Sequence, residues 1–211
     1  MITVGIIGLP NSGKSTLFNV LISEKKAKTA VTPFTTIVHH ESLVSSEGGD
    51  FKFLDIAGLV RGSHRGQGMG NAFLEKIRVA DILLHVVRAF YSSIVSHPHR
   101  IHEPGSLAQI TEDIEVVKEE LRVAGVHKPV IYVLNFDQHK MTSGVVKEYI
   151  SQVEHKFGGS VMGVCAKLEE DLLGLTSDER DKRLQEANID EVALTKVVKR
   201  ATLLIPQKSL D

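Results

Sequence analysis

The opening residues constrain this chain more than any other stretch. An apolar run, Ile2-Thr3-Val4-Gly5-Ile6-Ile7, leads directly into Gly8-Leu9-Pro10-Asn11-Ser12-Gly13-Lys14-Ser15. The second stretch satisfies G-x-x-x-x-G-K-[ST], and Thr16-Leu17-Phe18-Asn19-Val20-Leu21 continues it as a helix. The physics behind the pattern is specific. Glycines let backbone N–H groups turn inward around an anion, a lysine adds a point charge at the β- and γ-phosphates, and a serine hydroxyl can bind Mg²⁺. The helix that follows directs its positive dipole end at the same anion. Gly8 to Thr16 are therefore the first candidate nucleotide-binding residues, and Lys14 is a candidate for stabilising charge during catalysis.

The 211 residues carry 25 Lys+Arg against 26 Asp+Glu, a formal net charge of −1, with 42% hydrophobic and 24% charged residues. This is the composition of a soluble globular protein, and a chain of this size buries roughly 70% of its unfolded surface without a metal or disulfide staple. Near-neutral charge supplies no general attraction for nucleic acid or lipid, so neither DNA nor a membrane is expected as a partner. A single cysteine, Cys165, excludes an intramolecular disulfide and a Cys-rich zinc site. The amino terminus has no basic region ahead of a long apolar core, and no apolar run reaches the ~20 residues of a bilayer span, so a cytoplasmic location is expected.

Short apolar runs recur at Ile2–Ile7, Phe51–Leu54, Ile82–Val87, Val130–Leu134 and Val161–Val164, with Val38–Val44 as a further edge strand. Helical patterns mark Ser15–Ser23, Asn71–Val79, Leu107–Val123, Ser143–Phe157, Thr176–Ala187 and a segment from about Asp190 to Leu204. Apolar strands alternating with helices predict an α/β fold: a P-loop NTPase, G-domain-like three-layer sandwich with a mostly parallel sheet flanked by helices. Residues 1–211 are expected to form one nucleotide-binding domain. Two segments, Lys25–Ile37 and the glycine-dense Gly58–Gly70, fit no regular element. They are either plain surface loops or segments that become ordered around a ligand.

Asp55-Ile56-Ala57-Gly58 follows the apolar strand Phe51–Leu54. A carboxylate at a strand end can hold Mg²⁺, often through water, and the Gly58 N–H can then contact a γ-phosphate. A threonine of Pro33-Phe34-Thr35-Thr36 can complete the Mg²⁺ shell. The strand Val130–Leu134 ends in Asn135-Phe136-Asp137-Gln138, where a guanine site would carry N-K-x-D. The Gln138 amide presents one acceptor and one donor, which matches adenine N6–H and N1. Guanine N1–H and N2–H₂ would leave one donor facing a donor, at ~1–3 kcal/mol. Asp137 is the alternative base-facing residue if the register shifts by one.

Together these stretches resemble the YchF/Obg-like ATPase family of the TRAFAC P-loop NTPases. The matching segments are Gly8–Asn19, Pro33-Phe34-Thr35-Thr36-Ile37, Asp55-Ile56-Ala57-Gly58-Leu59-Val60, Gly66-Gln67-Gly68-Met69-Gly70-Asn71-Ala72-Phe73-Leu74 and His85-Val86-Val87-Arg88-Ala89-Phe90. The resemblance implies Thr36 rather than Thr35 beside Ser15 and Asp55 as the Mg²⁺ set. Leu59 stands where Ras-like enzymes carry a water-positioning glutamine, so another group must assist hydrolysis. The resemblance implies His97 for that role. The alternative is a solvated histidine in the loop shared with Pro98, His99 and His102. Asn11 matches an asparagine that binds K⁺ in related enzymes, or it only braces the loop. Cys165-Ala166-Lys167 is similar to the fifth base-contacting loop, so Cys165 and Ala166 join Asn135, Phe136 and Gln138 at the base.

The resemblance implies Mg²⁺-dependent hydrolysis of ATP, with GTP less favoured, in a conformational switch that uses Mg²⁺ and can use K⁺. A GTP-specific Obg-type GTPase and a nucleotide-sensing module with negligible hydrolysis are the alternatives. ATP/ADP or GTP/GDP are the expected ligands, and a ribosome or protein partner follows from the family alone. Family members usually carry a helical insertion before the base-reading strand and a C-terminal TGS domain. Here Leu121–Gly125 passes almost directly into Val130 and the sequence stops at Asp211, so both are expected to be absent.

Overall fold

A computed structural model of the chain describes residues 1–26, 41–46, 48–56, 70–92 and 102–205. Its six-stranded sheet contains β1 (Ile2–Ile7), β2 (Glu41–Ser46), β3 (Gly49–Asp55), β4 (Ile82–Arg88), β5 (Val130–Asn135) and β6 (Ser160–Val164). The strand order is β2-β3-β1-β4-β5-β6. The β2–β3 hairpin is antiparallel and every other pairing is parallel. The expected mostly parallel sheet is therefore present, with the single antiparallel strand at one edge.

Both faces are covered, which is why the inner strands read as nearly continuous apolar runs. On one face Val4, Ile6, Phe51, Phe53, Ile82, Leu84, Val86, Ile131 and Val133 pack under α1 (Lys14–Lys26) and α8 (Ala193–Leu204). Leu17, Val20 and Leu21 supply the apolar stripe of α1, and Val197 and Ala201 that of α8. The other face takes α2 (Gly70–Val79), α3 (Leu107–Val123) and α5 (Val145–Phe157), through Ile77, Ile110, Ile114, Val117 and Val153. Ser106 caps α3, its side chain accepting from Gln109 N.

The main departures are at short polar elements. The expected helix Ser143–Phe157 is present as α5, and a short helix not expected from the sequence, α4 (Gln138–Thr142), precedes it, separated from it by Gly144 at φ +83°. A helical turn in the left-handed region is strained for anything but glycine, so the break is built into the backbone. A further short helix, α6 (Ala166–Asp171), follows β6, and α7 (Ser177–Glu186) matches the expected Thr176–Ala187. Lys25 and Lys26 lie in α1 rather than in the irregular segment.

Candidate functional site

The carboxyl ends of β1, β3 and β5 meet at one edge of the sheet, as the crevice rule for open α/β sheets requires. The loop Gly8–Gly13 rises from β1 and closes into α1, where Leu17 N donates to Gly13 O at 2.9 Å. Two glycines are needed for its shape. A Cβ at Gly8 (φ +151°) would sit 2.3 Å from Val86 O, and one at Gly13 (φ +92°) would sit 2.2 Å from Asn135 Nδ2. Asn11 holds φ 62°, a left-handed conformation that asparagine tolerates better than most residues. That gives it a backbone role in the loop whatever its side chain binds.

Lys14 is buried, and its Nζ donates to Leu9 O at 2.8 Å, so the ammonium lies across the loop. Burial pushes its pKa below the ordinary lysine value, and the Asp55 carboxylate pulls it partly back. A buried cation under these conditions is suited to an anion that restores the lost solvation. Ser15, in the first turn of α1, donates from Oγ to Asp55 Oδ2 at 3.2 Å. The first turn of α1 carries no acidic residue of its own, which leaves the positive end of its dipole suited to an anion. Ser12 Oγ is buried without a hydrogen-bond partner among the described residues. A serine and a carboxylate in contact beside a buried lysine make a hard-oxygen donor set of the kind Mg²⁺ takes.

Asn135 ties this loop to the start of α6. Its Nδ2 donates to Ser12 O at 3.0 Å, and its Oδ1 accepts from Ala166 N at 3.1 Å. Ala166 begins α6, and Cys165 precedes it as the capping residue, buried, with burial pushing its thiol up to about 11. At that value Cys165 stays a neutral, inert thiol. The structure thus brings together Gly8 to Thr16, Asp55, Asn135, Cys165 and Ala166. Phe136 is placed differently: it is buried in the core, with its ring centroid 6.0 Å from that of Tyr149. Gln138 is exposed at the first position of α4. Asp137 caps α4, with Oδ1 accepting from Lys140 N at 2.9 Å and Oδ2 from Tyr91 N at 3.3 Å. Thr36, Gly58 and His97 lie outside the described residues.

One polar network was not legible as a site in the sequence. Arg88, the last residue of β4, is buried, and its Nε donates to Phe90 O at 3.2 Å. Gln109 on α3 donates from Nε2 to Arg88 O at 3.0 Å and to Asp113 Oδ2, while its Oε1 accepts from Gly105 N at 2.7 Å. Lys140 on α4 donates to Ala89 O at 3.0 Å and to Gly105 O. These contacts lock the end of β4 to the element that carries Gln138. The available signal was an arginine closing a strand that is apolar apart from His85, a position where charge is retained only when paired.

The family described as 50S ribosome-binding GTPase matches residues 3–136. The Ribosome-binding ATPase YchF of Bacillus subtilis is 28% identical over an alignment of 279 positions that covers 97% of the chain and 76% of the relative. That alignment is longer than the chain's 211 residues, so the relative holds positions with no counterpart here. Human Obg-like ATPase 1 is 42% identical over 137 residues, covering 57% of the chain and 33% of the relative, so the chain spans only about a third of that protein. The solved YchF GTPase of Schizosaccharomyces pombe superposes with a TM-score of 0.66 at 20% identity, over 96% of the chain and 75% of that structure, which speaks for the fold. With a P-loop between β1 and α1 and the matching sheet, the chain belongs to the 50S ribosome-binding GTPase family of P-loop nucleotide-binding domains, and within it is similar to the YchF and Obg-like ATPases.

Proposed function

We propose that the chain is an Mg²⁺-dependent purine nucleoside triphosphatase, favouring ATP over GTP, that works as a conformational switch. The observation that carries this reading is the Ser15–Asp55 contact of 3.2 Å beside the buried Lys14. Lys14 would leave Leu9 O for the β- and γ-phosphates, while loop N–H groups from Gly8 to Ser15 hold the remaining oxygens. Ser15 and Asp55, with Thr36, would hold Mg²⁺, which supplies charge neutralisation of the phosphates when bound. The reaction is in-line attack of water on the γ-phosphate, driven by positioning and preorganised positive charge. Gly58 would couple the γ-phosphate to the glycine-dense segment, and His97 would orient the water. Asn11 is the candidate K⁺ ligand.

Adenine preference rests on Gln138, exposed at the start of α4, with Asp137 already engaged as a cap. Asn135, Cys165 and Ala166 frame the base through backbone geometry, and Phe136 does so from the core beneath. The relatives' own names divide on the base, as ATPase for the Bacillus subtilis protein and GTPase for the Schizosaccharomyces pombe structure. The family description and the Bacillus subtilis name suggest a ribosomal partner. We read residues 1–211 as a single domain without a helical insertion. Calorimetry with ADP and GDP, each with Mg²⁺ and with a chelator, tests the proposal. Tighter ADP binding that weakens on chelation supports it, and equal or absent binding of both overturns it. Single-turnover hydrolysis in K⁺ and in Na⁺ separates an enzyme from a binding module.

A further inference from the structure

The sheet face under α3 holds a cavity of about 260 Å³ that shares no lining residue with the phosphate loop. His85, on β4, forms part of its wall. In register it lies between Ile7 of β1 and Tyr132 of β5. It is 2% exposed, and its Nε2 has no hydrogen-bond partner among the described residues. A buried polar atom left unpaired costs ~1–3 kcal/mol, so it implies a partner that protein atoms do not provide. Tyr132 is the aromatic neighbour, its ring centroid 5.8 Å away in a tilted packing. Burial, and then the charge of Lys14, lower the His85 pKa to about 3, which keeps the ring neutral with one donor and one acceptor.

The rest of the lining is one-sided in charge. Lys118, Arg122 and Lys128 border the cavity, and among the described residues no carboxylate does. Arg122 is neutralised by Glu119 at 2.7 Å. The Lys118 ammonium lies 5.5 Å from the Phe157 ring centroid, and Lys128 Nζ donates to Arg78 O at 3.0 Å. Among the described residues neither lysine is paired with a carboxylate. Leu83, Leu121 and Val126 give the walls an apolar character. The volume lies just below the ~300–1,000 Å³ of ordinary small-molecule pockets.

We propose that this cavity is a second binding site, separate from the nucleotide site, for a small organic carboxylate with an apolar body. The apolar part would fill the space between α3 and β4, the carboxylate would face Lys118 and Lys128, and a polar group or a carried water would reach His85. The site does not depend on the nucleotide reading. Benzoate is a suitable probe, titrated against the full chain with its histidine rings labelled for NMR. The His85 ring resonances are expected to move saturably with a Kd on the order of 1 mM, well within what so small a ligand can reach. Benzylamine, the same ring with opposite charge, should bind at least about tenfold more weakly. Lys118→Glu, at an exposed position, should weaken benzoate about tenfold while the fold persists. Val126→Trp should fill the cavity and abolish the shift. His85 resonances that stay still, that respond equally to both probes, or that respond unchanged in Val126→Trp overturn the site and leave a water-filled space. ADP affinity measured on the same samples should not change, which keeps this outcome distinct from failure of the nucleotide site.

Discussion

Lys14 is the side chain at which binding and folding separate. Its partner in the protein is the Leu9 carbonyl, and its burial makes the charge expensive to keep. Lys14→Met should weaken ADP about 10- to 100-fold, the worth of a charge-assisted hydrogen bond at ~1.5–3 kcal/mol, without lowering the unfolding midpoint. Calorimetry beside a urea titration checks both halves. Gly13 and Asn135 make a second case, because a Cβ at Gly13 would sit 2.2 Å from Asn135 Nδ2. Gly13→Ala must push the amide off Ser12 O and Ala166 N, costing on the order of 2–3 kcal/mol. Asn135→Ala alone loses the same two hydrogen bonds. In the double variant the clash has no partner, so the two effects should fall short of additivity by ~1 kcal/mol or more. Additive losses in a urea double-mutant cycle would mean that the amide does not carry the link.

Helices α6 and α8 are joined by a buried carboxylate. Glu169 Oε2 accepts from Ala193 N at 2.8 Å and so closes the amino end of α8. Burial pushes the Glu169 pKa up from 4.5 to about 7, against the pull of the Ala193 N–H and of Lys196. Lys196 is itself lowered by burial and donates to Gly163 O at 3.0 Å. A carboxyl whose pKa is raised in the folded state binds its proton more tightly there than when unfolded. Its contribution to stability is full below pH 4.5 and declines as the pH rises towards 7. Glu169→Gln should remove that decline, gaining on the native protein by ~1–3 kcal/mol between pH 5 and 7. Denaturation at several pH values checks this, and parallel pH profiles would contradict it. This link was not legible in the sequence, because α6 and α4 are too short and polar to show a helical period. The long elements were legible: β1 and α3 fall where apolar spacing put them, and the phosphate loop is a local motif. Asn135 was singled out in the sequence as a base-side candidate, but its bridge between Ser12 O and Ala166 N joins residues distant in sequence and was not legible. Arg88, Gln109 and Asp113 were missed for the same reason, since nothing local announces a buried polar network.

At the scale of the whole molecule, the candidate site gathers strand ends rather than one element. Gly8 follows β1, Asp55 ends β3, Asn135 ends β5 and Cys165 follows β6. The parallel register of those strands fixes their spacing, so an anion held by the loop and a base held at Asn135 would brace the sheet along its carboxyl edge. A ligand that binds only the folded chain stabilises it by RT ln(1 + [L]/Kd), or ~2.7 kcal/mol at a hundred times Kd. For a domain of this size, where 1 kcal/mol shifts Tm by roughly 2–4 °C, ADP with Mg²⁺ should raise Tm by about 5–10 °C. Chelation should remove much of the gain, because the Ser15–Asp55 pair would lose the ion that lets a carboxylate stand beside phosphate. GDP at the same concentration should give the smaller shift if Gln138 reads the base. Lys14→Met, left at about 1–10 times its own Kd, should keep only about 0.4–1.4 kcal/mol, a shift of roughly 1–6 °C, and Val126→Trp, in the cavity under α3, should respond like the native chain. A Tm shift with ADP left undiminished by both chelation and Lys14→Met would place the nucleotide somewhere other than this edge of the sheet.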